Sequence, residues 1–217
     1  MKNGIPNNTK ERNTIQPGDM KLRDINGDGK VTAEDQTVIG HGLPIHTGGF
    51  TNNFSYKGFD LSIFFQWSYG NDVINYNRAK LEDLRGQHTN QLASAMNHWT
   101  PRVDNGDGTY TEGNYTNYLC AVNRNLTNLN TSRVVEDASF LRLKNVQLGY
   151  NFPVKLIKRI GISSLRLYVS GQNLWTWTKY TGYDPEVSTR NSALTRGFDY
   201  SAYPKTTSYT FGIKLGL

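Results

Sequence analysis

The residues best suited to chemistry lie near the amino end. Asp24-Ile25-Asn26-Gly27-Asp28-Gly29-Lys30-Val31-Thr32-Ala33-Glu34-Asp35 follows the D-x-N-x-D-G pattern that wraps Ca2+ in oxygen ligands. In that pattern Asp24, Asn26 and Asp28 supply side-chain oxygens and Gly29 permits the sharp turn. Lys30 offers its backbone carbonyl, Thr32 binds directly or through water, and Asp35 closes the loop. The closing position usually holds Glu, and the shorter Asp must approach more closely to bind through both oxygens. The competing reading is an Asx-rich turn without metal. The expected cofactor is a structural Ca2+, acting as a clamp on an extracellular segment where that ion is plentiful.

Other chemistry-bearing residues carry less. Asp104-Asn105-Gly106-Asp107-Gly108-Thr109 looks alike but lacks a closing carboxylate, so it reads as a turn. His41, His46, His88 and His98 form no H-E-x-x-H and no pair at helical ligand spacing, so they read as surface loop residues. Glu82-Asp83 and Glu136-Asp137 are adjacent carboxylates whose side chains point apart, unsuited to glycoside hydrolysis. The single cysteine, Cys120, closes no intrachain disulfide and sits in no ligand spacing. No enzyme activity is expected. The basic excess, formally +6, is spread out, with Lys155, Lys158 and Arg159 its densest patch and no aromatic-basic RNA motif beside it, so no nucleic-acid partner is expected.

The elements that would position such residues are strands. Of the 217 residues, 12% are aromatic and only 19% charged, and 21 are Gly, which favours β structure. No run reaches the roughly 18 apolar residues of a membrane helix, whereas a membrane β-barrel signals by alternation and stays open. In 59–69, Phe59, Leu61, Ile63, Phe65, Trp67 and Tyr69 share one face, and Asp60, Ser62, Phe64, Gln66 and Ser68 the other. At the end of the chain Tyr209, Phe211, Ile213, Leu215 and Leu217 stand opposite Ser208, Thr210, Gly212, Lys214 and Gly216. Residues 163–177 set Leu165, Leu167, Val169, Gly171, Trp175 and Trp177 against Arg166, Tyr168, Ser170, Gln172 and Thr176. Residues 139–152 alternate too, but change phase near Asn145, which predicts a bulge. A weaker strand is expected over 47–57, and one short helix over Ala33–Ile39.

The cleanest strands run to the length of about nine to eleven residues that a membrane needs, beyond the five or six usual in a soluble sandwich. Aromatics gather at strand ends, as Trp67, Tyr69, Tyr150, Phe152, Trp175 and Trp177 do, where an interfacial girdle would want them. The links alternate as well: a tight turn at 57–58, a long loop at 70–137, a short link at 153–162 and a long loop at 178–204. Short periplasmic turns and long extracellular loops are the rhythm of an outer-membrane barrel, with Leu217 on the periplasmic side. Five strands cannot close a barrel, whose smallest members have about eight, so the chain is expected to be the end of something larger. The expected division is an extracellular loop region at 1–46 bearing the calcium-like loop, followed by barrel strands and extracellular loops at 47–217.

Four stretches carry a family resemblance. Gly171-Gln172-Asn173-Leu174-Trp175-Thr176-Trp177-Thr178-Lys179-Tyr180-Thr181-Gly182-Tyr183-Asp184-Pro185-Glu186 resembles the penultimate-strand signature of the SusC/RagA-like TonB-dependent outer-membrane transporters. Gly18-Asp19-Met20-Lys21 through Ile39-Gly40 resembles that family's acidic loop. Gly58-Phe59-Asp60-Leu61-Ser62 to Gly70-Asn71-Asp72 is similar to its following strand, and Ser139-Phe140-Leu141-Arg142-Leu143-Lys144-Asn145-Val146 to Phe152-Pro153 to the next. The resemblance implies an all-β fold, the last antiparallel strands of a 22-stranded transmembrane barrel in the cell outer membrane. It implies energy coupling through the TonB complex by a region absent here, a SusD-like surface lipoprotein as partner, and glycans or peptides as substrate. Outer-membrane lipid would then solvate the apolar faces, and Ser62, Gln66, Arg166, Gln172 and Lys214 would wet the channel. The alternative from another class is a secreted calcium-binding β-sandwich for carbohydrate binding or adhesion, which would bury those same apolar faces against a second sheet.

Overall fold

The computed structural model describes residues 7–8, 17–84, 89–115, 119–120, 131–186 and 196–217; His88 lies outside them. Each alternating stretch becomes a long strand: β1 His46–Tyr56, β2 Phe59–Tyr69, β3 Phe140–Asn151, β4 Ser164–Thr178 and β5 Ser208–Gly216. They make one antiparallel sheet in which spatial neighbours are also neighbours in sequence, a meander with β1 and β5 at its edges. The turn at 57–58 holds both Lys57 and Gly58 at positive φ, the backbone a two-residue hairpin demands. The helix expected over Ala33–Ile39 is a single 3-10 turn at Ala33–Asp35. Gln36 is already extended, and the β-branched residues that follow are poor helix formers. No helix among the described residues is long and apolar enough to cross a membrane.

The register divides the sheet into an apolar side and a polar side. Phe65 stands across from Phe50 and Leu143, Ile63 from Val146, and Val169 from Leu148 and Phe211, so the apolar sides of five strands merge into one surface. Nothing among the described residues covers it: Phe211 is 81% exposed and Ile213 68%. Among the described residues Val73, Ala138 and Tyr180 form a buried apolar cluster away from this surface, and within the five strands the one buried apolar residue is Phe140, beside Arg142 on the polar side. A sandwich requires the opposite arrangement, with these strands supplying the core. Aromatic rings edge the surface at both ends. Phe59 packs on Tyr150 at 4.5 Å and Tyr150 on Phe152 at 4.9 Å, while at the other end His46 stacks on Tyr69 at 5.2 Å and accepts a hydrogen bond from Trp67 Nε1.

The bulge expected near Asn145 is present and has a definite form. Phe64 pairs with Asn145 but Phe65 with Leu143, so β3 carries one residue, Lys144, more than β2. On β4, Gln172 pairs with Asn145 and Trp175 with Leu143, and Asn173 takes a left-handed conformation at φ 52°. The extra residue lets Lys144 and Asn145 both follow the polar side while Leu143 and Val146 stay on the apolar one.

By internal contacts the chain forms two units, Met1–Ile39 with Asn75–Val134, and Gly40–Ile74 with Val135–Leu217. In the first, buried Glu82 ties three segments together by binding Arg78, Arg133 and the Ser94 hydroxyl. The second holds the five-stranded sheet and, beyond its Tyr69 end, a small sheet of Asp72–Asn75, Val135–Asp137 and Phe198–Asp199.

On the polar side of the sheet, Arg166 of β4 reaches over β3 to pair with Asp60 of β2, and Asn151 donates to the same carboxylate at 3.0 Å. Gly149 lies beneath this bridge, and a Cβ there would stand 2.7 Å from both the guanidinium and the carboxylate. A Gly149→Val variant is therefore expected to lose the bridge and about 1–3 kcal/mol of stability. Urea unfolding followed by gel mobility of heated and unheated samples reads that loss, and an unchanged midpoint would refute the crossing.

Candidate functional site

Alternation places Ser62, Gln66, Arg166, Gln172 and Lys214 on one polar face, and the ladder brings each beside another polar residue. Gln66 faces Arg142, Ser62 faces Gln147, Gln172 faces Asn145, and Arg166 faces Lys214. On the middle strand, near the Phe140 end of the face, lies Arg142, 2% exposed. Its Nε donates to Thr176 Oγ1 at 2.9 Å, Nη1 to Glu186 at 3.1 Å and Nη2 to Asp184 at 2.5 Å. Lys205 pairs with the same Glu186 oxygen, and Gln66 donates to the other at 3.4 Å. The segment after β4 thus folds back onto the polar face and is held there by charge. Burial alone would raise the Asp184 pKa; the amide of Glu186, then Arg142 and the Lys205 amide, outweigh it and hold the carboxyl below its usual value.

Above this node the chain is fixed by a second polar contact. Tyr180 is buried with its hydroxyl donating to Asp199 at 2.6 Å, and burial together with that carboxylate pushes its pKa upward. Thr181 binds Glu136 through amide and hydroxyl, both at about the ordinary distance. Glu136 and Asp137, read from sequence as an adjacent pair pointing apart, do so: Asp137 instead accepts from the Ser139 amide at 2.9 Å.

The calcium-like loop is built from Asx turns. Asp24 accepts from the amides of Gly27 and Gly29, each at 2.7 Å, Asn26 from that of Asp28 at 3.0 Å, and Asp28 from that of Lys30 at 2.8 Å. Asp35 reaches back to the amides of Ile25 and Thr32 and, with Thr32, forms a capping box; these amides lower its pKa. Gly29 has the positive φ, 83°, that the sixth loop position needs. Among the described residues no three Asp, Glu, His or Cys side chains converge on one point. The Asp104–Thr109 stretch is the turn of a small hairpin joining Val103–Asp104 to Tyr110–Thr111, with Asp107 taking the Thr109 amide. His98 faces the Ala95 carbonyl, and His41 donates its amide to Asp72.

The charge node itself escapes a reading of strands one by one. Arg142 is legible as a polar-face residue, but its partners arrive from a loop more than 40 residues on, and only the tertiary placement joins them.

No family model matches the chain. Curated proteins do. The TonB-dependent receptor P3 of Formosa agariphila is 37% identical over 204 residues, 92% of this chain and 19% of the receptor. The TonB-dependent receptor P39 of the same organism is 34% identical over 206 residues, and the TonB-dependent receptor SusC of Bacteroides thetaiotaomicron 26% over 199. The chain thus spans about a fifth of the length of the relatives it matches. Among solved structures, the RagAB peptide transporter aligns with 88% of this chain and 20% of its own at a TM-score of 0.63 and 30% identity. The RagAB peptide importer in its open-open state aligns with 98% of this chain at a TM-score of 0.65 and 26% identity.

The node makes a prediction about acid and about mutation. A carboxyl whose folded pKa is depressed stabilises fully above its unfolded value, about 3.9, and loses that contribution only as pH falls through the lower folded value. The Asp184 contacts are therefore expected to hold unchanged at pH 5, with the Lys205 amide still slow to exchange hydrogen. Asp184→Ala leaves the buried Arg142 with Glu186 as its one carboxylate and is expected to cost about 3 kcal/mol, speeding Lys205 exchange at every pH. Equal exchange in the two proteins would remove the node from the account.

Proposed function

We infer, from a chain homologous to the SusC/RagA-like TonB-dependent receptors of the outer membrane, that its five strands are the closing part of a larger transport barrel. The observation that carries this reading is the continuous, uncovered apolar surface on one side of a sheet whose other side is mainly polar and charged. Hydrocarbon solvates such a surface without cost, and water does not. The 11 residues of β2, at about 3.4 Å per residue and a tilt of about 40°, rise about 29 Å, enough to cross an apolar band about 25 Å tall between aromatic girdles. The free edges of β1 and β5 pair with further strands, since an open edge in lipid strands amides without partners. The complete barrel is of 22 strands.

In that barrel the polar face lines the lumen, the links at 57–58 and 153–162 are periplasmic, and the loops at 70–137 and 178–204 are extracellular. The cargo is a glycan or a peptide, captured with a SusD-like surface lipoprotein and moved with energy delivered through the TonB complex to a region outside this chain. The relatives are receptors and transporters, and the residues here hold, orient and admit; none is assigned covalent chemistry. The secreted sandwich loses its ground, because the surface it would bury is the one left uncovered.

We further propose that residues 24–35 bind Ca2+ as a structural clamp in the extracellular region at 1–46. The donors are hard oxygens, as that ion prefers, and Gly29 already makes the required turn. Asp24, Asn26, Asp28, the Lys30 carbonyl, Thr32 and Asp35 would hold it, with Asp28 and Asp35 exchanging amide bonds for the ion.

Two measurements check these readings. Phe211→Asp puts a charge toward hydrocarbon at about 2 kcal/mol and is expected to lower the yield of heat-modifiable barrel in outer-membrane fractions; wild-type yield would count against the lipid-facing assignment. Calorimetric titration with Ca2+ is expected to show a binding heat that Asp28→Ala abolishes, and identical heats in both proteins would remove the clamp.

A further inference from the structure

Phe64 of β2, Asn145 of β3 and Gln172 of β4 stand in register across three strands, immediately beside the bulge residue Lys144. Phe64 is an aromatic ring where its strand otherwise offers Asp, Ser and Gln. It leans over Gly49, whose Cβ would come within 2.7 Å of the ring, and is only half-buried. Asn145 Oδ1 is buried and without a hydrogen-bond partner among the described residues. A buried acceptor left unpaired is costly, so a donor arriving there is rewarded.

The charges beside this row do not balance. Arg142, Lys144 and Lys205 lie within electrostatic reach of one another with Asp184 and Glu186 between them, so three cations share two carboxylates. Both carboxylates are engaged by Arg142 and Lys205, and Lys144 makes no ion pair among the described residues. The bulge sets Lys144 and Asn145 in succession on the same side of the strand, with Lys144 beside the Glu186–Lys205 pair.

We propose that this row is a ligand subsite for an acidic oligosaccharide, and the proposal rests on the polar face lining the lumen. Lys144 pairs with a carboxylate in a charge-assisted bond, Asn145 and Gln172 bind ring hydroxyls, and the open part of Phe64 covers the C–H face of the sugar. A peptide would share the carboxylate but gains its affinity from main-chain hydrogen bonds to a free strand edge. Here β3 is flanked on both sides, so its backbone is already used.

The test is equilibrium titration of the complete transporter in detergent with oligogalacturonate, neutral oligogalactose and oligoglutamate. Lys144→Gln is expected to weaken oligogalacturonate about tenfold, leave oligogalactose unchanged, and be rescued by Lys144→Arg, while Phe64→Leu weakens both sugars. Undiminished oligogalacturonate affinity in Lys144→Gln overturns the subsite. So does tighter binding of oligoglutamate that the same change abolishes, which would assign the row to acidic peptides. Unchanged heat-modifiable mobility in each variant shows that it folds. Lys144→Cys on a cysteine-free background separates this proposal from the reading beneath it. Labelling by a water-soluble maleimide leaves the lumen in place whatever the titrations give, and protection from the reagent overturns both.

Discussion

In hydrocarbon an unpaired backbone amide has no water to turn to, and leaving one there costs several kcal/mol. That constraint governs the sheet before any side chain is considered. It demands long strands with uninterrupted ladders, and β1 to β4 run 11, 11, 12 and 15 residues with neighbours paired almost throughout. Once the ladders are fixed, the period of two decides everything about the faces: one side collects Phe, Leu, Ile, Val and Trp, the other Ser, Thr, Asn, Gln and charge. A soluble protein of this size would spend its apolar residues on a core. Here, among the described residues, the cluster of buried apolar side chains is Val73, Ala138 and Tyr180, in and beside the small sheet and off the apolar surface.

The polar face has the converse problem, for it must hold charge without a hydrophobic core to position it. Its solution is a set of cross-strand bridges. Arg166 and Asp60 join β2 to β4 over Gly149, and Arg142 joins β3 to Thr176 on β4 and to the returning loop through Asp184 and Glu186. Arg suits this role because its planar fork offers several donors at fixed angles, and all three nitrogens of Arg142 are used. A buried ion pair contributes less to net stability than to geometry. What it gives here is a defined course for residues 179–186, which would otherwise be free to leave the face.

Much of this was legible in the sequence because alternation is a local signal. The tight turn at Lys57-Gly58, all five strands and the phase change at Asn145 required only the period of two and the chemistry of Gly. The helix over Ala33–Ile39 misled because Ala33, Glu34 and Asp35 favour a first turn, whereas the capping box between Thr32 and Asp35 completes just that turn and the β-branched residues after it do not extend it. The charge node was not legible, since Asp184-Pro185-Glu186 follows Arg142 at a distance along the chain that no periodicity spans. Nor could spacing reveal that the carboxylates of Asp24, Asp28 and Asp35 bind neighbouring amides, for a ligand pattern and an Asx turn use the same residues.

The bulge connects these two levels. A strict alternation that kept Arg142 on the polar face would put Asn145 on the apolar face and Val146 on the polar one, both at odds with their surroundings. One surplus residue removes the conflict: Leu143 and Val146 remain with Phe65 and Ile63, and Lys144 and Asn145 go together to the other side. The local cost is a break in two ladders, accommodated on β4 by Asn173 in a left-handed conformation, which Asn tolerates better than most residues. Asn173 is in turn anchored, its amide donating to the Thr206 carbonyl and its own carbonyl accepting from Thr207 just before β5. A defect in a ladder that was merely tolerated would have no reason to be tied to the next strand. This one is built into the sheet from both sides, and it determines which polar groups meet at the middle of the face.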